Sequence, residues 1–364
     1  MIRVAANLSW LVPGRVGGSE EYTVRLLSAV IAAEPDGIDL RLIGVPGLFA
    51  AHPELQGVEC VPLRGPTTVR AWRIAAESTT VYRTTATADV VHHFGGRVPA
   101  RHHGNDVVTI HDLQPLQIPS NFSSIKRHYL GIALPRSVRA ARLVLTPSEW
   151  VASTVVELLG ADPASVRAVS STWDTADEVD TSAADLLEAG RVVLYPAVTH
   201  PHKRHELLLA AMERVVAARG DVTLVLTGGA GRAEAAVRAA IERSPVPVMR
   251  PGRVSAACLR GLYRRADVLA FPSAYEGFGL PVLEAMRAGV PVVASPSTAI
   301  PEVVGDTGLL VRGASPDRWA DAILASLAGG DQVDERVQRA RTRSEHWSPS
   351  AAAARLLQAW RSLA

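Results

Sequence analysis

Short β-branched runs alternate along this chain with longer segments whose apolar residues recur at helical spacing. IRVAANL (2–8), IDLRLIGV (38–45), VVHHF (90–94), DVVTIHD (106–112) and LVLTPS (143–148) are apolar on both faces, as strands buried in a parallel sheet are. GSEEYTVRLLSAVIAAE (18–34) and SEWVASTVVELLG (148–160) read as helices. An acidic, Ala-rich stretch from Asp174 to Gly190 interrupts the series, and then it restarts. RVVLYPA (191–197), VTLVLTG (222–228), VPVMRPG (246–252), DVLAFPS (267–273) and PVVASP (291–296) are the second set of strands. Helices are predicted around Glu206–Arg219, Ala233–Ser244, Ser255–Ala266, Leu280–Ala288 and Pro316–Gly329. Alternation of this kind predicts an α/β chain with two doubly wound, Rossmann-like domains facing across a cleft, where ligands meet the carboxyl ends of the strands. The expected divisions are a first domain over 1–175, a linker over 176–190, a second domain over 191–346 and a terminal helix over 347–364 that crosses back to the first domain.

Composition narrows the class. The 364 residues are 48% hydrophobic and 20% charged, enough to bury two cores, and a net charge of +2 implies no nucleic-acid partner. Cys60 and Cys258 lie far apart, which offers neither a disulfide framework nor a metal cluster. MIRVAANLSW reads as a strand and not as a signal peptide, and no apolar run reaches the length of a bilayer span, so a soluble cytoplasmic protein is expected. Of 38 basic residues only Lys126 and Lys203 are lysines. Lys126 belongs to SSIKRHYLGIALPRSVRAARLVL (123–145), read as a solvated basic helix face, with contact to a membrane surface as the alternative.

The densest chemistry lies in FPSAYEGFGLPVLEAMRAGVPVVASP (271–296), where Glu276 and Glu284 stand eight positions apart. Pro281 suits the first turn of a helix and Gly289 its C-terminal end. The N–H groups of Gly277, Phe278, Gly279 and Leu280 then cluster at a positive helix terminus, which suits a phosphate. A carboxylate there needs another partner, and sugar hydroxyls fit. The plain alternative is that Glu276 caps the helix and Glu284 pairs with Arg287. Lys203, between a strand and a helix, supplies a point charge suited to a diphosphate, or else is a surface lysine.

EGFGLPVLEAMRAGVPVVAS, followed by PEVVGDTGLLV, resembles the E-x7-E signature of the family 4 retaining glycosyltransferases, including members that move mannose or rhamnose. The resemblance implies the GT-B fold and transfer of a hexose, mannose-like or 6-deoxy, from a nucleoside-diphosphate sugar. It assigns Glu284 to ribose hydroxyls, Glu276 to the transferred sugar, Lys203 to the pyrophosphate, and the backbone of Arg253 and Val254 to the nucleobase edge. Relatives often carry an arginine at the end of the preceding strand; here Pro196-Ala197-Val198 stands there, so His200, His202 and Arg204 are the candidates for a second cation. In the first half, Gly17 and Gly18 are expected near the donor phosphates with Glu20 close by, and His111-Asp112 near the transferred sugar or the acceptor. Ser148 matches a further family position, although a helix N-cap is the reading preferred for it. With no Asp-x-Asp in the chain, no metal and no cofactor beyond the nucleotide sugar are expected. The expected acceptor is an acceptor glycan, a lipid-linked sugar or a small-molecule metabolite, chosen by first-domain loops such as Arg64–Tyr82 and Gln114–Ser124, which carry no readable motif.

Three rival functions are compatible with a two-domain α/β chain. A dinucleotide dehydrogenase fits poorly, because GGAGRAE after VTLVLT has Glu234 where the fingerprint needs Gly or Ala. A glycoside phosphorylase of the same fold would use phosphate as acceptor. A non-catalytic nucleotide-sugar-binding partner would bind without turnover.

Overall fold

The computed structural model describes residues 1–15, 17–176, 178–185, 187 and 190–364. The chain divides into two compact units: residues 1–172 with 347–364, and residues 173–346. The expected linker over 176–190 lies in part outside the described residues.

The first unit holds seven strands: β1 (Ile2–Leu8), β2 (Ile38–Gly44), β3 (Glu59–Pro62), β4 (Val90–His93), β5 (Asp106–Thr109), β6 (Leu143–Thr146) and β7 (Val166–Ala168). They pair in the order β3-β2-β1-β4-β5-β6-β7, all parallel. β4, β5 and β6 are buried at every position, which is why their sequences are apolar without alternation. The Gly18–Ala32 helix packs on this sheet together with the terminal helix, Pro349–Arg361. Trp360 of that helix is fully buried, and its Nε1–H donates to Nδ1 of His92 at 3.2 Å. His92 in turn bonds Thr109 Oγ1 at 2.8 Å. The last helix is thus part of the first unit's core.

The second unit holds β8 (Arg191–Pro196), β9 (Val222–Thr227), β10 (Val248–Gly252), β11 (Val268–Phe271), β12 (Val292–Ala294) and β13 (Leu309–Leu310). Their order is β10-β9-β8-β11-β12-β13, again parallel. The chain therefore runs outward from β8 in one direction and from β11 in the other. This is a topological switch, and the loops leaving β8 and β11 emerge side by side at its carboxyl edge.

Three expectations need correction. Residues 64–82, read as a loop, carry the Arg70–Ala76 helix and a π-helical turn at Glu77–Val81. Residues 114–124, also read as a loop, contain short helical turns at Gln114–Gln117 and Pro119–Asn121. After Pro316–Leu327 a further helix, Asp331–Ser344, follows; its almost wholly polar sequence hid the pattern. The basic segment after residue 123 is a helix, Ser124–Ala140, started by the Ser123 hydroxyl accepting from Lys126 N–H. No helix among the described residues is long and apolar enough to cross a membrane.

Candidate functional site

In the second unit the switch point gathers the predicted residues. The loop after β8 forms a short turn, Pro201–Lys203, before the His205–Arg219 helix, and the Tyr195 hydroxyl fixes it by donating to the Lys203 carbonyl at 2.6 Å. From this turn Lys203 Nζ reaches Oε1 of Glu276 at 2.6 Å and sits 5.8 Å from the centre of the Phe271 ring. Both side chains of the pair are mostly shielded, at 17% and 12% exposure. Glu276 does not cap the following helix; Gly279 occupies that position with φ 107°. A Cβ there would fall 2.6 Å from Ile300 Cδ1, so close packing and backbone geometry both select glycine. Thr298, in a left-handed conformation (φ 51°), clasps the Glu276 backbone, its Oγ1 accepting from the N–H and donating to the carbonyl, each at 2.8 Å.

The Leu280–Ala288 helix has Pro281 in its first turn and ends at Gly289, φ 79°. No backbone acceptor is found for the N–H groups of Gly279 and Leu280 among the described residues, while Gly277 and Phe278 already have contacts within the protein. Glu284 accepts from the Tyr263 hydroxyl at 2.9 Å. Arg287 pairs with Glu345 at 2.5 Å and lies over the Trp173 ring, so it is not the partner of Glu284. Charge at this edge rests chiefly on Lys203. Burial, and next the Lys203 charge, lowers the pKa of His200, and the same two causes bring His202 to about 3. Both rings are thereby disfavoured as cations, and charging either would need an anion beside it. Arg204 forms the N-cap of the His205–Arg219 helix, with φ 52°. Arg253 is exposed and Val254 half-buried, just beyond β10.

In the first unit Gly17 (φ 72°) is the N-cap of the Gly18–Ala32 helix, and Gly18 is its first residue. Both are exposed, and a Cβ on either meets nothing within 4 Å. Glu20 is buried and engaged inside the protein: its carboxylate accepts from Gly14 N–H at 2.8 Å and lies 3.0 Å from His52 Nε2. These contacts make Glu20 a fastening of its own loop. His111 follows β5, and its Nε2–H donates to the Phe94 carbonyl at 2.7 Å, between the Tyr22 and Trp10 rings. Burial lowers its pKa to about 4, so the ring is neutral with Nδ1 as acceptor. Asp112 accepts from Gln114 N–H at 3.0 Å. His111 and Asp112 line one cavity of about 530 Å³ with Gly95 and Gly96. Ser148 is an N-cap, accepting from Val151 N–H at 3.2 Å.

Comparison with known proteins decides the family. Residues 16–177 match the description Glycosyltransferase Family 4, and residues 190–328 match Glycosyl transferases group 1. The chain belongs to the family 4 glycosyltransferases. The chain is similar to O-antigen chain mannosyltransferase B of Escherichia coli, 32% identical over 232 residues, 61% of each chain. It is also similar to D-inositol 3-phosphate glycosyltransferase of Segniliparus rotundus, 33% identical over 220 residues, 55% of this chain and 49% of that one. The alignments thus span 61% and 49% of these relatives' own lengths. The crystal structure of Anabaena HepE in complex with UDP-glucose shares the fold, with a TM-score of 0.77 over 100% of both chains at 18% identity. The fold is therefore GT-B, built from two Rossmann-like units.

Three residues of the second unit escaped the sequence. Tyr263 holds Glu284, Thr298 holds the Glu276 backbone, and Thr199 ties the β8 loop to Glu234 at 2.8 Å and to Gly231 N–H at 2.7 Å. Glu234 is the residue that spoiled the dinucleotide fingerprint; here it forms a two-pronged pair with Arg250 at 2.9 and 2.5 Å. Each contact joins residues far apart in sequence, and no local pattern announces them.

Proposed function

We propose that this chain transfers a hexose, mannose-like or 6-deoxy, from a nucleoside-diphosphate sugar to an acceptor hydroxyl with retention of anomeric configuration and without a metal ion. The observation that carries the reading is the Lys203–Glu276 pair at the start of the Leu280–Ala288 helix, beside two backbone N–H groups without a backbone acceptor. An ammonium and a helix N-terminus are suited to a diphosphate, and Glu284 to ribose hydroxyls. The mannosyltransferase name of the Escherichia coli relative supports the donor class.

In this mechanism the bond between the anomeric carbon and the diphosphate oxygen breaks first, through an oxocarbenium-like state. Lys203 and the N–H groups of Gly279 and Leu280 stabilise the charge growing on the leaving diphosphate. The acceptor oxygen bonds to the anomeric carbon on the same face, and its proton passes to the departing diphosphate oxygen. Glu276, once Lys203 turns to phosphate, is released to accept from sugar hydroxyls. The neutral His111 offers Nδ1 as an acceptor for the transferred sugar or the incoming hydroxyl.

A thermal-shift panel of UDP, GDP, TDP and ADP, each with its sugars, tests this, since a ligand that binds the folded state raises stability by mass action. One base should stand out, and the product formed with that sugar should keep the donor's anomeric configuration by NMR, in EDTA as in its absence. No shift with any nucleotide, or an inverted product, would overturn the reading.

A further inference from the structure

The segments 64–82 and 114–124, silent in sequence, help wall the cavity that His111 and Asp112 line. Five cationic side chains face it, Arg15, Arg70, Arg73, Arg97 and Lys126, against two acidic ones, Glu77 and Asp112. Glu77 is already engaged, by an ion pair with Arg97 and by the Ser9 hydroxyl at 2.8 Å. None of Arg15, Arg70, Arg73 and Lys126 has a carboxylate within ion-pair distance among the described residues. Arg70 lies 5.4 Å from the centre of the Tyr129 ring and Lys126 4.8 Å from that of Phe122, contacts that leave their N–H donors usable.

Crowding of like charge shows in two of these groups: Arg73 and Lys126 both have lowered pKa values, from burial first and from the Arg70 charge next. Self-repulsion of this kind opposes folding, and among the described lining residues Glu77 and Asp112 offset only part of it. A concave wall of one sign focuses its field on an anion. A carboxylate would offset only one of the three excess positive charges. A phosphate monoester brings about 1.5–2, a diphosphate more, and guanidinium forks match phosphate oxygens two at a time.

We infer that this cavity binds a phosphate or diphosphate group carried by the acceptor. The inference rests on the proposed transfer reaction and adds the acceptor's chemical class. Two sources share that chemistry, a lipid phosphate and a small soluble sugar phosphate. A second cavity, about 680 Å³, adjoins the first through Ile74, Arg97, Tyr129 and Ala133. Ile125 and Ile132 of the Ser124–Ala140 helix line it, 85% and 59% exposed, and a lipid chain would occupy it.

Isothermal titration of the full chain with farnesyl diphosphate against farnesol, and with glucose 6-phosphate against glucose, separates these cases. The variants are R70Q/K126Q, at two side chains with no ion pair among the described residues, so that their loss should leave the fold intact, and Lys203→Ala. At least one phosphorylated probe should bind about 10-fold or more tightly than its uncharged counterpart, and lose about 10-fold or more in R70Q/K126Q but not in Lys203→Ala. If farnesyl diphosphate alone behaves so, the acceptor is a lipid phosphate; if glucose 6-phosphate alone does, it is soluble; if both do, phosphate itself is the determinant. Equal binding of charged and uncharged probes, or binding lost in Lys203→Ala and kept in R70Q/K126Q, overturns the inference. Nucleoside-diphosphate thermal shifts are read alongside: their absence in the native chain would remove the transfer reading, whatever the probes do.

Discussion

Glu276→Gln and Lys203→Ala, made singly and together, separate the two roles that one ion pair combines. The pair is 2.6 Å long and its side chains are 17% and 12% exposed. Exposed pairs contribute about 0–1 kcal/mol, whereas stripping one partner from a fully buried pair costs about 3–5. The intermediate shielding puts Lys203→Ala at about 2 kcal/mol, or about 4–8 °C of melting temperature for a unit of this size. Glutamine keeps the shape and an oxygen acceptor for Lys203, so Glu276→Gln should cost about 1 kcal/mol. The effects on ligand differ in sign. A charge-assisted bond from Lys203 to a diphosphate is worth about 1.5–3 kcal/mol, so Lys203→Ala should weaken nucleoside-diphosphate binding about 10- to 150-fold. Glu276→Gln removes the carboxylate that competes for the same ammonium. Affinity should hold or tighten while turnover falls roughly 100-fold, because an oriented charge at the reacting sugar is lost. Calorimetry with the preferred nucleoside diphosphate and initial rates of sugar transfer measure the two. If Glu276→Gln lowered affinity and turnover by one common factor, or kept full turnover, the division of roles would be wrong.

Three further outcomes follow from the same structure. Burial holds His111 and His205 near pKa 4, below the unfolded value of about 6.5. Between those values the unfolded chain binds more protons, so stability is complete above about pH 6.5 and declines toward pH 4, by about 1.4 kcal/mol per pH unit for each ring. Melting curves from pH 7.5 to 4.5 should show this, less steeply in His205→Asn, and a flat native profile counts against the buried neutral rings. Gly279→Ala places a side chain at φ 107° against Ile300 and should lose about 1–3 kcal/mol in urea unfolding, together with nucleotide affinity; native stability would argue that this turn is not constrained. Trp360→Ala empties a fully buried site in the first unit and should cost about 3–5 kcal/mol by the same measurement, while a loss under 1 would show the last helix is only loosely packed.

How much of this could be read from the chain depends on where the information sits. The Leu280–Ala288 helix was legible to the residue because Pro281 and Gly289 mark its ends by local backbone chemistry. The central strands were legible because burial on both faces writes a continuous apolar run. Of the four edge strands only β10 was: β3, β7 and β13 are two to four residues long with no fully buried position, and so carry no run to recognise. The polar Asp331–Ser344 helix failed for the same lack of contrast. Lys203 and Glu276 were each picked out, yet their pairing across 73 positions follows from the β8–β11 neighbourhood, which only the sheet order reveals. The basic cavity in the first unit is likewise assembled from segments distant in sequence, none with a motif of its own. The loop contacts of Glu20 were not legible either, because an acid after a glycine pair looks the same whether it faces a ligand or fastens its own loop.

The most direct test of the account is a crystal structure of the chain with its preferred nucleoside diphosphate. The account predicts diphosphate oxygens within hydrogen-bond distance of the Gly279 and Leu280 N–H groups and of Lys203 Nζ, with Glu276 released and Glu284 on the ribose. A diphosphate bound elsewhere, with Lys203 still bonded to Glu276, would contradict it.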